Sequence, residues 1–273
     1  MKELLLIAIN YCCEKETLLF CEQIANQTIK DNITVIIVNN KSSETAEIDL
    51  DVALKKINID IKYYDFNKNL GYLNGCLAGI DEFTKEEGYF PKWIAISNTD
   101  IIISDVQFFE KFLHTEYEKD IWCVGPSIIE LENIYCNPHY LKRISKKKII
   151  RLIKIFNSKF LSIIYYFLAE KKAKKRTIKN ESTYVYSNHG SFFFVKSELY
   201  KCLNGEKYGA LLYSEESFIA EFILENNKRA YYDNSLELFH SKNLVTGKLG
   251  KQKCAKHISQ SLKYIRKRFY DKK

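Results

Sequence analysis

Proline and glycine are scarce, with three and ten among 273 residues. That scarcity argues against a flexible, linker-rich chain. None of the eight cysteines stands in CxxC spacing, and Cys21, Cys76 and Cys123 lie inside apolar runs. They read as reduced thiols rather than a disulfide framework or a zinc site. No stretch offers the ~20 apolar residues that a membrane-spanning helix needs. The opening MKELLLIAIN has a short apolar run and no small-residue cleavage site, which does not fit a secretory signal. With no export signal and no internal repeat, the expected location is the cytoplasm.

What is present is ordinary in bulk: 46% apolar and 28% charged residues, enough for one large domain or two fused halves. The charge is unevenly placed. Of a net +8, residues 142–180 carry +13 and residues 248–273 carry +9, so the rest of the chain carries −14. An acidic body therefore bears two basic segments.

The first hundred residues alternate between two periodicities. A continuous apolar run at Leu4–Ile9 suits a strand buried on both faces, a β-branched run follows at Ile33–Val38, and 59–64 and 93–97 are strand-like. Residues 14–28, 45–56 and 72–84 carry apolar residues at helical spacing. Such alternation predicts a mainly parallel sheet with helices on both sides, and ligands bind such sheets beyond the C-terminal strand ends. Asn10-Tyr11, Asn39-Asn40 and Asn98–Asp100 all fall at those ends. The second half is mixed, with strands expected at 121–124, 191–195, 229–232 and 236–239 and helices at 106–114 and 215–226. Asp100 poses its own question, because it sits between the apolar runs WIAIS and III. A carboxylate there either caps a turn or meets a positive charge.

Seven segments stand in a recognisable order: IAINY (7–11), VIIVNNKSSET (35–45), NKNLGYLNG (67–75), WIAISNTD (93–100), HGSFFFVKSEL (189–199), LYSEESFIAE (212–221) and LELFHS (236–241). Together, over roughly residues 4–245, they resemble family 2 glycosyltransferases of the GT-A fold, most closely the bacterial enzymes that build capsule and O-antigen. The resemblance implies an α/β fold in which a nucleotide-binding half (1–105) is fused to a mixed-sheet acceptor half (106–245), followed by a basic C-terminal helix (246–273). It also implies inverting transfer from a UDP- or dTDP-linked sugar to a saccharide, lipid-linked acceptors included.

Site residues follow from the same resemblance. Asn10, Tyr11, Asn39, Asn69, Gly71, Asn98 and Asp100 would contact the donor. Asp100, in the place of the family's DxD motif, would bind Mg²⁺ or Mn²⁺ beside the diphosphate, with His240 completing the metal site. Glu216 would be the general base and Glu215 its orienting neighbour. His189, Gly190 and Ser191 match the acceptor wall, where Gly190 would let backbone approach sugar or diphosphate. Asn39 departs from the aspartate that commonly reads the base in this family, and Ser217 from an acid that often follows the pair.

The basic segments lie outside that pattern. Ile149, Ile153, Phe156, Phe160, Ile164 and Phe167 fall at helical spacing between lysine-rich flanks, which predicts one amphipathic helix from 149 to 168. In the tail, Ile258, Leu262, Ile265 and Phe269 repeat the pattern. Each stripe fits an anionic membrane surface, the protein's own core or a second copy in a homodimer. Nucleic acid is disfavoured, because the apolar residues form helical stripes and the body is acidic. A nucleotidyltransferase would want a glycine-rich loop after the first strand, and NYCCEKET has no glycine.

Overall fold

The computed structural model describes residues 2–40, 48–203, 205–241 and 250–271. The parallel strands are β1 (Leu4–Asn10), β2 (Ile33–Asn39), β3 (Ile61–Asp65) and β4 (Trp93–Ser97). After Asp100 come the two-residue β5 (Ile101–Ile102), then β6 (Ile121–Glu130), β7 (Ile134–Tyr135), β8 (Thr183–Val185), β9 (Phe192–Lys196) and β10 (Arg229–His240). All ten join one sheet, ordered β3-β2-β1-β4-β9-β6-β10-β5, with β7 on β6 and β8 on β10.

β1 is buried at every position, and its two sets of alternating side chains enter different cores. Leu5, Ile7 and Ile9 face one layer, while Leu4, Leu6 and Ala8 face the other. The second layer is closed by α1 (Glu14–Ala25), α2 (Leu50–Leu54) and α4 (Phe108–His114). The first is closed by α3 (Tyr72–Glu87), α5 (Lys146–Asn157), α7 (Ser197–Leu203), α8 (Glu215–Glu225) and α9 (Lys251–Ile265).

Three expectations change. The runs at 229–232 and 236–239 are one strand, because a shift of register between Asp233 and Glu237 lets β10 stay paired with β6 across the gap. The helix expected over 45–56 is seen as α2 alone; residues 41–47 lie outside the described residues, as does the 245/246 boundary. The single helix over 149–168 is two, α5 and α6 (Lys159–Ala173), bent by 114°. Ser158 has extended backbone and its side chain accepts a hydrogen bond from Leu161 N, so it caps a new helix instead of continuing the old one.

The bend divides the apolar stripe. Ile149, Ile153 and Phe156 are buried in the core against α9, whereas Phe160, Ile164 and Phe167 are exposed. Asn157 fixes the end of α5 by accepting hydrogen bonds from Ser259 and Lys263 of α9. The tail stripe is likewise taken up by the protein: Leu262 and Ile265 are buried, and Ile258 and Phe269 pack on the same core.

Gly71 brings the start of α3 against the loop before α8. It lies at φ 84° before α3, and a Cβ there would stand 2.4 Å from Leu211 O, in the loop leading to α8. Asn40 holds this turn from behind, donating to Gly71 O at 2.8 Å and accepting from Leu70 N at 2.9 Å. Gly71→Ala should therefore destabilise the fold by at least ~1–3 kcal/mol from backbone strain alone, as a lowered denaturation midpoint in urea will show.

Candidate active site

Four strand ends supply the edge at which the sequence places a donor. Asn10 and Asn39 are register partners on β1 and β2, as are Asn39 and Asp65 on β2 and β3. Their side chains form a ladder: Asn10 Nδ2 donates to Asn39 Oδ1 at 3.0 Å, and Asn39 Nδ2 donates to Asp65 Oδ2 at 2.7 Å. Asn10 is itself fixed by Thr17, whose hydroxyl donates to Asn10 Oδ1 at 3.0 Å. Tyr11 lies just beyond, partly exposed. Asn69 caps the turn before α3, its Oδ1 accepting from Gly71 N at 2.8 Å.

At β4 the chain must turn back sharply to form β5. Asn98 N donates to Ser191 O at 2.8 Å, and Asp100 O accepts from Ser241 N at 3.0 Å. Because β5 pairs with the end of β10, Ile101 lies opposite His240. The Asp100 carboxylate thereby comes within 3.2 Å of His240 Nε2, and Glu130, at the end of β6, lies 3.5 Å from His240 Nδ1. Burial opposes charge on His240, but the two carboxylates outweigh it and push its pKa up to about 9.

Asp100 Oδ1 is buried, and the positive charge that offsets its burial is the His240 imidazole 3.2 Å away. Among the described residues no three His, Cys, Asp or Glu side chains gather around a common point for a metal. What exists is a pair, Asp100 and His240 Nε2, with Glu130 on the far ring nitrogen. A divalent cation at Asp100 and His240 Nε2 would have to displace the proton between them and be completed by ligand oxygens, with Glu130 on the far ring nitrogen.

The residues expected to face an acceptor start just before β9. His189 Nδ1 is 2.8 Å from Ser191 Oγ, and His189 N donates to Asn137 Oδ1 at 2.9 Å. The His189 ring stands 6.0 Å from that of His240 and 5.9 Å from that of His139. His139 Nε2 in turn is 3.9 Å from Glu216 Oε1. A row of three imidazoles thus runs from Asp100 to Glu216. Burial, ahead of the neighbouring charges, lowers the His139 pKa, so it is held neutral.

The pair Glu215-Glu216 opens α8 from a strained turn, with Tyr213 and Ser214 at φ 70° and 63°. Ser214 Oγ contacts Ser261 Oγ of α9 at 3.0 Å, which braces the turn. The two acids differ in environment. Glu216 is partly exposed; Glu215 is buried, and burial together with the charge of Glu216 raises its pKa to about 8. A Cβ on Gly190 would lie 3.3 Å from Glu216 Oε2, so the close approach that this glycine permits is to Glu216. Tyr72 donates to Gly190 O at 3.2 Å, and its hydroxyl feels the charges of Glu215, Asp100 and Glu216 together.

Asn10, Asn39, Asp100, His189, His240 and Glu216 fall along the strand-end side, while Glu215 is buried and Asn69 and Gly71 form the turn before α3. Asp65, Glu130 and His139 join them without a motif. Two had a signal: Asp65 and Glu130, like Asp100, are carboxylates closing strand-like runs. His139 had none.

The sheet order and the helices covering both faces of the sheet fit the GT-A fold. Residues 6–203 match the family model for glycosyl transferase family 2, and the chain belongs to that family. The match stops before Glu215. Similar solved structures include a mannosyltransferase, PcManGT from Pyrobaculum calidifontis, in complex with GDP-Man and Mn²⁺ (12% identity, TM-score 0.54, covering 88% of this chain and 56% of that one). S. aureus TarS 1–349 in complex with UDP-GlcNAc is similar (13%, 0.58, 89% and 59%), as is GalNAc-T7 with UDP, GalNAc and Mn²⁺ (12%, 0.61, 89% and 43%). The chain spans about half the length of these proteins. No curated protein matches the sequence.

Because Glu215 is raised from 4.5 to about 8, its protonated form is favoured by the fold. The stability this contributes is full below pH 4.5 and is lost as pH rises to about 8. Glu215→Gln mimics the protonated acid. Wild type should therefore fall behind this variant by up to about 1.4 kcal/mol for each pH unit in that window and no further above it; thermal melts from pH 4 to 9 test this.

Proposed function

We propose that the protein is an inverting glycosyltransferase that moves a sugar from a nucleotide-sugar donor to a saccharide acceptor. The observation that carries the proposal is the placement of Glu216 at one end of the imidazole row and Asp100 with His240 at the other. An inverting displacement needs a base on the acceptor and charge stabilisation on the leaving group, at separate ends of one cleft. Glu216 accepts the proton of the acceptor hydroxyl, whose oxygen bonds to the anomeric carbon as the bond to the diphosphate breaks. Neutral His139 beside it can hold the acceptor by hydrogen bonding without competing for that proton. Glu215, buried and proton-binding, shapes the turn that aims Glu216.

Asp100 and His240 would hold Mg²⁺ or Mn²⁺, which supplies positive charge against the departing diphosphate. For the base, Asp65 stands beside Asn39 and offers the carboxylate that Asn39 lacks. Together they present acceptors and an amide donor to an imide edge, which supports a uracil or thymine nucleotide. The Mn²⁺ and nucleotide-sugar complexes of the similar proteins support the same reading. The acceptor is a lipid-linked saccharide in the assembly of a bacterial surface polysaccharide, a role supported by the motif resemblance.

Two variants test the chemistry. Glu216→Gln keeps shape but accepts no proton, so turnover should drop ~10²-fold or more with donor affinity little changed. A reversed outcome, with Glu215→Gln inactive and Glu216→Gln active, transfers the base to Glu215. Asp100→Ala should remove metal-dependent release of nucleotide from a panel of nucleotide sugars while the circular dichroism spectrum is kept; near-normal turnover by the folded variant would end the metal assignment.

A further inference from the structure

We propose that α6 is a membrane-docking helix that lies in the surface of an anionic bilayer. Its inward stripe is narrow: Ser162 is buried, and Tyr165 and Tyr166 pack on Phe156 with ring centroids 5.0 and 5.8 Å apart. The remaining apolar side chains point away from the protein. Phe160, Leu161, Ile163, Ile164, Phe167 and Leu168 are each at least 41% exposed, Phe160 reaching 71%. A contiguous apolar patch of this kind is uncommon on a soluble monomer and marks a contact surface.

Charge identifies the occupant. Lys159 opens the helix, and Lys171, Lys172, Lys174, Lys175 and Arg176 follow its last apolar turn, all exposed. A second copy would bring the same cations against themselves, whereas anionic headgroups complement them. Each lysine near such a surface strengthens binding roughly fivefold before screening. The helix is 15 residues, about 22 Å, and among the described residues no single helix is long and apolar enough to cross a membrane. It lies on the bilayer, its apolar side chains below the headgroups and its lysines among them.

The bend at Ser158 makes this possible. α5 spends its apolar face on the core with α9, so only the turned helix is free to dock. Beyond α6 the chain passes the acceptor end of the cleft, where Arg176 O accepts from Tyr135 N at 2.8 Å and the Arg176 charge reaches His139. A docked α6 thus brings the acceptor end of the cleft to the membrane. The docking itself is independent of the transfer chemistry.

Sedimentation of the full chain with phosphatidylcholine vesicles, with and without phosphatidylglycerol, tests the proposal. Wild type should bind the anionic vesicles at 0.1 M salt and release at 1 M, as the screening length falls from ~10 Å to ~3 Å. The triple variant Phe160→Ser, Ile164→Ser, Phe167→Ser and the quadruple variant Lys159→Gln, Lys171→Gln, Lys172→Gln, Lys175→Gln should each lose binding about tenfold or more. Both change exposed side chains, so melting temperature and donor hydrolysis should stay at wild-type values. Wild type that ignores anionic vesicles, or variants that sediment as well as wild type, overturn the proposal. So does a wild-type dimer, seen by light scattering, that the serine variant makes monomeric without altering vesicle binding, because α6 is then a subunit interface.

Discussion

A buried carboxylate facing an imidazole at the meeting of two strand ends organises this protein. Asp100 cannot sit between two apolar runs without a charge partner, and the pairing of β5 with β10 brings His240 to it. For that pairing to occur, β10 must run the full length of β6 and shift register midway, and β6 must end on Glu130. The sheet therefore closes around an electrostatic requirement at its edge. Everything else at the cleft, from the Asn98–Ser191 contact to the His189 ring, is positioned relative to this junction.

The two glutamates at the start of α8 are separated by solvation. A helix opening on adjacent acids would ordinarily leave both in water; here the turn at Tyr213 and Ser214, held at positive φ, tips Glu215 inward and leaves Glu216 facing Gly190. Burial, with the charge of Glu216 beside it, raises the Glu215 pKa to about 8. The strain of that turn is offset by contacts behind it, from Ser261 and from Tyr264, which packs on Tyr208.

Much of the fold was legible because strands buried on both faces must be continuous apolar runs, as Leu4–Ile9 and Ile33–Val38 are. Those runs predict a mainly parallel sheet; the GT-A class comes from the resemblance of the seven motifs, and both the sheet and the family match agree with it. The helix at 149–168 shows where periodicity fails. Apolar spacing continues across Asn157 and Ser158, yet a cap at Ser158 turns the chain by 114°, so one stripe has a buried half and an exposed half. Spacing records which side chains share a face; it does not record what that face meets. His139 was invisible for another reason: its position depends on the loop between β7 and α5, and no local pattern announces it.

The brace between α8 and α9 bears on how this fold can be divided. α9 lies beyond the 6–203 match, and Ser261 contacts Ser214 directly behind the acids. A Cβ on Gly209, in the same loop, would meet the Tyr264 ring at 2.3 Å. α9 thus supports the turn that opens α8, and an α8 exchanged into a relative without its own α9 would arrive with Glu215 and Glu216 unsupported. α8 and α9 are structurally one unit, coupled through Ser214 and Ser261.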